Sequence, residues 1–263
     1  MRFLLGLLVL LCCWLTVPTP GLAAPVVLFD QGHGQPFRVD GDGPYDLSAL
    51  GACFAAAGYE IRVATGPLAD EELAGVTALV ISGAFQPLSE DELATLRRFL
   101  ANGGGVAVML HIAPPVAGLL GALQVEYANG ILHESHHTIA GNPQQFRVRA
   151  LAEHPLTAGL EEFALYGGWA LRGAAAEVES LAWTSPQAWV DLDRNRQPGP
   201  ADAIGSFGVM VAGAIGHGRF VVFGDDALFQ NRFLDASNRR LAANLAGWLL
   251  ADRAAGGLEP KLQ

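Results

Sequence analysis

The sequence predicts a doubly wound α/β fold built on a mostly parallel sheet. Apolar runs of strand length alternate with helical segments through the first 111 residues. Each run ends in a polar or glycine-rich turn, which is typical of buried parallel strands. A helix start signal and glycine stop signals lie between the runs. This alternation of strand and helix predicts the fold class.

The amino-terminal part contains four predicted strands and two predicted helices. Ser89 and Glu92 form a capping box, and the acids of this first turn lie where the helix dipole favours them. The second helix ends at the glycines of residues 103–105. In chain order we predict strand 25–30, helix 45–57, strand 59–63, strand 77–82, helix 89–101 and strand 106–111.

The later part divides into an irregular middle and a regular end. Residues 124–203 contain only short strand-like pieces, at 145–149, 181–184 and 189–192. Residues 209–214 and 219–223 predict a hairpin, and 237–250 an amphipathic helix with Leu241, Leu245, Trp248 and Leu249 on one face. The predicted fold is therefore flavodoxin-like, with an elaborated middle region and a C-terminal hairpin plus helix.

Residues 1–23 have the pattern of a secretory signal peptide. Arg2 precedes an apolar run over residues 3–15, which is shorter than the roughly 20 residues of a membrane span. Pro18 and Pro20 end the run, and small residues precede the predicted cleavage point. The alternative is an uncleaved anchor. We expect a domain over residues 24–252, a tail over 253–263, and a periplasmic or secreted location.

Charge and cysteine usage narrow the function classes. The chain has 16 Lys and Arg against 26 Asp and Glu, a surplus of acid that argues against nucleic acid as a partner. Cleavage would change the net charge from −10 to −11, because the segment contains Arg2 and no acid. It would also leave Cys53 as the one cysteine, so no internal disulfide is expected. We expect no integral membrane span in the mature chain.

Several motifs in a fixed order resemble the class I glutamine-amidotransferase-like superfamily. They are residues 27–35 (VLFDQGHGQ), 57–60 (AGYE), 88–92 (LSEDE), 99–106 (FLANGGGV), 154–160 (HPLTAGL) and 216–225 (GHGRFVVFGD). The resemblance is nearest to the non-catalytic branch, which includes uncharacterised bacterial domains related to gliding-motility ABC-transporter auxiliary proteins and the GIFT domains of intraflagellar transport. The ThuA-like trehalose-utilisation family is similar through the strand that ends in His111.

The sequence departs from this superfamily at the catalytic position. Amidotransferase catalysis needs a cysteine on a tight turn after the fourth strand, activated by a histidine and an acid. Here that strand is followed by His111, Ile112, Ala113, Pro114 and Pro115, and Cys53 falls in an earlier helix. The resemblance therefore implies a shared fold without the activity, and the sequence favours a binding protein over an enzyme.

The carboxyl ends of the predicted strands carry the first candidate site. Ligands of α/β sheets bind at this edge. Asp30, His33, Ser82, His111 and Asp225 are expected to meet there. We predict a pocket for a small polar or sugar-like ligand, or an interface for an envelope protein; loop stabilisation and strand capping are the alternatives.

Two further patterns are candidate metal sites. Residues 133–137 match H-E-x-x-H, so on a helix His133 and His137 would bind zinc with Glu134 as general base. This pattern supports the alternative function, a metal-dependent hydrolase, for which His33 and His111 are the other candidate residues. Nearby Gly130, Gly141 and Pro143 instead favour a surface loop over residues 133–137.

The other pattern has the oxygen spacing of a calcium loop. Asp191, Asp193, Asn195 and Asp202 occupy positions one, three, five and twelve of a calcium loop. Arg196 replaces the glycine of such loops, Asp202 replaces their bidentate glutamate, and Pro198 and Pro200 are foreign to them. These departures favour a polar hairpin loop, with a weak calcium site as the alternative.

Overall fold

The computed structural model describes residues 24–111 and 116–251. The predicted signal peptide over 1–23 and the predicted tail over 253–263 lie outside the described residues, as do residues 112–115. Within the described ranges no helix is long and apolar enough to cross a membrane.

Fifteen strands and four α-helices form within these described ranges. The helices are α1 (Ser48–Ala56), α2 (Glu90–Ala101), α3 (Ala117–Ala122) and α4 (Ala236–Leu250). The strands are β1 (Val26–Asp30), β2 (Glu60–Ala64), β3 (Ala78–Ser82), β4 (Gly105–Met109), β5 (Val125–His133), β6 (Thr138–Ile139), β7 (Asn142–Val148), β8 (Ala150–Leu151), β9 (Phe163–Leu165), β10 (Trp169–Gly173), β11 (Val178–Trp183), β12 (Trp189–Asp191), β13 (Ala203–Ile204), β14 (Gly208–Ile215) and β15 (Gly218–Phe223).

One half of the large sheet is parallel. Its strands lie in the order β2-β1-β3-β4-β15, and each neighbouring pair is parallel. Every residue of β3 and β4 is buried, which explains why these strands are continuous apolar runs in the sequence. Because the carboxyl ends of parallel strands lie at one edge, the turns after β1, β3, β4 and β15 are neighbours.

The other half of the sheet is antiparallel. β14 pairs with β15 as the predicted hairpin, and the sheet continues through β10, β5, β12 and β13, while β11 pairs with β14 and β8 pairs with β11. β6, β7 and β9 form a separate three-stranded sheet. The mixed α/β class is confirmed, but the sheet is less parallel than predicted. The middle region lacks the helical crossovers that parallel neighbours need.

An apolar cluster lies on each face of the sheet. Val27 and Phe29 of β1 face one cluster, with α1 and α4, whereas Leu28 faces the other, with α2 and α3. This alternation is the period-two pattern of a strand with both faces covered. The two clusters fix the strands from both sides and so fix their carboxyl ends.

The long helices begin as the sequence predicts. Ser89 and Glu92 form the capping box of α2. Leu241, Leu245 and Leu249 of α4 are buried, whereas Trp248 is only half-buried and lies under the guanidinium of Arg219.

The middle region contains both predicted and unpredicted strands. The three predicted strand-like pieces correspond to β7, β11 and β12. The nine-residue β5 was not predicted, because Asn129-Gly130 within it is a turn signal. Gly130 is needed there, since a Cβ would lie 2.4 Å from the carbonyl oxygen of Asp191 on β12. Close approach of two backbones explains this glycine.

Candidate functional site: the carboxyl edge of the parallel strands

Asp30 and His33 meet in a buried ion-pair network after β1. The Nδ1 of His33 lies 2.8 Å from the Oδ2 of Asp30, and its Nε2 lies 2.9 Å from the Oε1 of Glu92. Gln35 donates from Nε2 to Asp30 and accepts the backbone N–H of His33. Both ring nitrogens of His33 face carboxylates, so the imidazolium form is favoured.

The electrostatics of this network agree with its geometry. Burial by itself would lower the pKa of His33, but the hydrogen bonds and charges of Asp30 and Glu92 outweigh it, so that pKa is raised. Burial opposes ionisation of Glu92, yet hydrogen bonds from Ser89 and Leu68 and the charge of His33 lower its pKa to about 2. These buried ion pairs therefore stabilise the turn after β1.

Asp30 and His33 therefore contact each other at the predicted edge of the sheet. Their contacts correspond to the alternative named above, stabilisation of the loop after β1. Both side chains are buried and fully partnered. Sequence reasoning assigned Glu92 only to its helix cap and missed its bond to His33. No local signal reveals that bond, since 59 residues separate the two.

His111 lies at the same edge, two residues beyond β4, and its side chain is 23% exposed. Its Nδ1 lies 3.0 Å from the Oδ2 of buried Asp226. The ring lies between two phenylalanines, with centroids 4.6 Å from Phe85 and 5.8 Å from Phe37. Among the described residues none forms a hydrogen bond with Nε2. The carboxylate thus orients the imidazole through Nδ1, and its second nitrogen has no partner within residues 24–111 and 116–251.

The backbone on both sides holds this pair in place. The Nε1 of Trp169 donates to the carbonyl oxygen of His111 at 2.8 Å. Gly83 has φ +64°, and a Cβ there would lie 2.5 Å from the Oδ2 of Asp226 and 3.1 Å from Phe37. Only glycine combines this backbone conformation with so close an approach of the carboxylate.

Asp225 and Asp226 have different roles. Asp225 is fully enclosed and accepts the backbone N–H groups of Tyr166 and Ala227, so it caps the turn. Burial, and then the charge of Asp226, raise the pKa of Asp225 well above its usual value. Burial also raises the pKa of Asp226, although His111 opposes the shift. The sequence prediction named Asp225, but Asp226 is the one that contacts His111.

Ser82, the last residue of β3, adds an unbonded hydroxyl. Its side chain is buried, and its Oγ forms no hydrogen bond with any described residue. Ser82 pairs in register with Met109 of β4, two residues before His111. A buried polar atom without a partner is uncommon and points to a missing one.

The H-E-x-x-H segment does not form a helix. His133 ends β5, stacks on Trp189 at 4.8 Å, and lies 3.2 Å from the Nε2 of Gln144. His137 is exposed in the turn that follows, with φ +55°. The helical spacing that would bring His133 and His137 to one zinc ion is therefore absent.

Glu134 is also occupied. Its buried carboxylate accepts the N–H groups of Ser135, His136 and Ser185 and the hydroxyl of Ser185. It stabilises the turn, which explains the burial of an acid between two histidines.

The acidic loop after β12 does assemble. Asp191, Asp193 and Asp202 each bring a carboxylate oxygen within 4.8 Å of the other two. Among the described residues this is the group of His, Cys, Asp and Glu arranged to hold a metal ion. Asn195 lies beside it and donates from Nδ2 to Asp193 at 2.8 Å.

A surface recess of about 400 Å³ lies at the opposite edge, before β3 and β4. Its charged groups, Asp70 and Arg98, already pair with each other at 2.8 Å. Both are exposed, and the edge that bears His111 is the better candidate.

Several solved structures resemble this chain in fold. The mmIFT52 N-terminal domain is 15% identical over 86% of this chain and 98% of its own, with a TM-score of 0.69. A cytoplasmic protein from Salmonella typhimurium is 15% identical over 86% and 99%, with a TM-score of 0.57. A ThuA-like protein from Bacteroides uniformis is 14% identical over 90% and 96%, with a TM-score of 0.53. These likenesses are of fold alone.

The chain belongs to the family described as "Domain of unknown function (DUF4350)", which matches residues 42–246. No curated protein is similar to it in sequence. Family and neighbours together define an uncharacterised domain related in fold to ThuA-like proteins.

Proposed function

We propose that this chain is an exported, non-catalytic domain that binds a small polar or sugar-like ligand at the carboxyl edge, through His111, Asp226 and Ser82. The supporting observation is the oriented, partly exposed imidazole of His111. The edge combines a ring nitrogen, a buried carboxylate and an unbonded hydroxyl. Such convergent polar groups select ligands with several hydroxyls.

Two aromatic rings support the sugar-like part of this proposal. Phe85 is 43% exposed and Phe37 is half-buried, and both contact the ring of His111. Aromatic faces pack against the apolar C–H face of a sugar while neighbouring polar groups bind its hydroxyls. A sugar-like ligand would explain why the large apolar ring of Phe85 is exposed beside a polar cluster.

The chemistry of the chain supports binding without catalysis. No residue from Ile112 to Pro115 carries a nucleophile. Cys53 is half-buried on α1, where burial raises the pKa of its thiol and so disfavours the reactive thiolate. We infer kinship with the amidotransferase-like superfamily from the parallel order β2-β1-β3-β4-β15, which is the flavodoxin-like order.

The proposal of export depends on the amino-terminal sequence pattern. We propose a periplasmic or secreted location and, as a partner, a protein of an envelope system such as an ABC transporter. Expression of the full chain in a bacterium with a periplasm, followed by mass analysis of the exported protein, tests this. We expect an amino terminus near Ala24. A full-length protein retained in the cytoplasm would contradict export while leaving the site proposal standing.

A sugar screen tests the binding proposal. Thermal unfolding is measured with trehalose, glucose, galactose and N-acetylglucosamine, because a ligand specific to the folded state raises Tm. We expect at least one to raise Tm of the wild type and of His217→Ala, an exposed histidine in the β14–β15 turn, but not of His111→Ala. Equal shifts in His111→Ala, or none in the wild type, would reject a sugar at this edge.

A further inference from the structure

The acidic hairpin loop between β12 and β13 has no role in the proposed ligand site. In the sheet order, β5, β10, β14 and β15 separate β12 from β4, the strand that His111 follows. We propose that this loop, Asp191 to Asp202, binds one calcium ion through the carboxylates of Asp191, Asp193 and Asp202.

The strand register places two carboxylates opposite each other. Val190 of β12 pairs with Ala203 of β13, so the next pair outward is Asp191 and Asp202. Like charges directly opposite in a sheet destabilise it. Asp193 adds a third carboxylate within 4.8 Å of both. Backbone N–H groups of the loop already bind the carboxylates of Asp193 and Asp202, and a bound cation would offset the repulsion that remains among the three acids.

One oxygen of this cluster lacks a partner. Asp191 is 5% exposed, and its Oδ2 accepts the backbone N–H of Arg196 at 3.1 Å. Its Oδ1 is buried and forms no hydrogen bond with any described residue. A buried carboxylate oxygen left unpaired is costly, so a ligand for it is expected.

The nearby arginines do not supply that charge. Among the described residues, no ion pair joins Arg194 or Arg196 to the three carboxylates. Arg196 adopts φ +62°, the left-handed conformation that glycine usually provides at this position of a calcium loop. The departure from glycine therefore leaves the turn itself intact.

The ligand chemistry favours calcium over other divalent ions. The cluster offers only oxygens, whereas zinc prefers nitrogen and sulfur. Calcium accepts six to eight oxygens in irregular arrangements, while magnesium requires a near-ideal octahedron. The calcium-loop pattern assigns positions five and seven to the side-chain oxygen of Asn195 and the backbone oxygen of Gln197. The Oδ1 of Asn195 also accepts the backbone N–H of Gln197 at 2.7 Å.

A calcium ion would also secure a weakly held strand. β13 is two residues long, both exposed, and Ile204 is 63% exposed. Apolar packing therefore contributes little to holding it on β12. A calcium ion bound by both Asp191 and Asp202 would hold the start of β13 against the end of β12. We therefore expect calcium to protect residues 192–202 from proteolysis.

Calorimetric titration of the chelator-treated full chain tests the site, with calcium and magnesium in separate runs. We expect one calcium per chain and binding at least tenfold weaker for magnesium. With a dissociation constant of about 1 mM, about 10 mM calcium should raise Tm by about 3–6 °C. No calcium heat and no Tm shift at that concentration would overturn the proposal.

Matched variants locate the site. Asp193→Asn changes an exposed ligand and is expected to fold; Asp191→Asn changes the buried one. Both should weaken calcium binding at least tenfold, whereas Asp42→Asn, an exposed acid outside the loop, should bind as the wild type does. Wild-type affinity in Asp193→Asn, with far-UV circular dichroism unchanged, would contradict the assignment even if Asp191→Asn failed to fold.

Discussion

His33 shows how a single buried residue makes stability depend on pH. Its two ring nitrogens face the carboxylates of Asp30 and Glu92, which raise its pKa in the folded chain above the value near 6.5 of an unfolded one. Its stabilisation is therefore complete below about pH 6.5 and is lost as pH rises through the folded pKa. Glu92 has the opposite sign, since its lowered pKa stabilises the fold above about pH 4.5 and that contribution is lost towards pH 2.

The variant His33→Gln should isolate this contribution. We expect its loss of unfolding free energy, relative to the wild type, to be largest at about pH 5.5 and to shrink by about pH 8.5. Urea unfolding at a series of pH values measures the difference. His217→Gln, at an exposed position, serves as the control and should show no such trend. A deficit that is independent of pH would mean that His33 is not charged in the fold.

Site residues were only partly predictable because the decisive contacts are long-range. Strand ends are visible in the sequence, so Asp30, Ser82 and His111 were correctly placed at one edge. Which of two adjacent acids faces His111 depends on the turn after β15, and the sequence pattern does not specify that turn. Phe37 was not predicted, since it lies on a loop without periodicity.

Among the elements, α4 is joined to β9 of the three-stranded sheet by a buried amide. Asn238 is fully buried; its Oδ1 accepts the N–H of Ala164 on β9, and its Nδ2 donates to the carbonyls of Ala164 and Leu228. A polar residue on an amphipathic helix normally suggests the solvent face. Here it bonds backbone groups of β9 and of the turn that follows β15.

Replacement of Asn238 by alanine should cost about 2–4 kcal/mol of unfolding free energy, because it leaves buried backbone groups unpaired. Denaturant unfolding followed by circular dichroism measures this loss. Asn244→Ala on the same helix is the control, since Asn244 is only half-buried and donates to two carbonyls near the surface. We expect about 1 kcal/mol or less there. Equal losses would show that burial of the amide is not what matters.

Elements with strong local signals were predictable, and those set by tertiary pairing were not. The parallel strands are continuous apolar runs, and the capping box marks the start of α2. β5 contains a turn signal, but pairing with β10 and β12 on its two sides overrides it. Tertiary pairing also explains why the sheet is mixed. The middle strands pair antiparallel and so need no crossover helices, and the sequence therefore contains no helical pattern in this region.

At the scale of the whole molecule, one sheet is shared by the two apolar clusters. Leu96 of α2 lies in one cluster and Leu245 of α4 in the other, and both are almost fully buried. Since β1, β3, β4 and β15 contribute side chains to both, loss of packing on one face should destabilise the other. The part of the chain that contributes to these clusters is therefore expected to unfold as one unit.

Leu96→Ala and Leu245→Ala should each cost about 2–5 kcal/mol and lower the same transition. Tryptophan fluorescence and far-UV circular dichroism should give coincident curves for both variants. Leu250→Ala, which truncates a partly exposed leucine at the end of α4, should stay within about 0.5 kcal/mol of the wild type. Two separate unfolding transitions in either core variant would show that the chain contains units that unfold independently.

The site proposal depends on His111 as the group that meets the ligand. Histidine-selective NMR of the full chain, titrated with the sugar that raises Tm most, reports directly on its ring. We expect the His111 resonances to shift in a saturable way, those of exposed His217 to stay fixed, and Asp226→Asn to weaken the response. A sugar that binds without changing the His111 resonances would contradict ligand binding at the carboxyl edge.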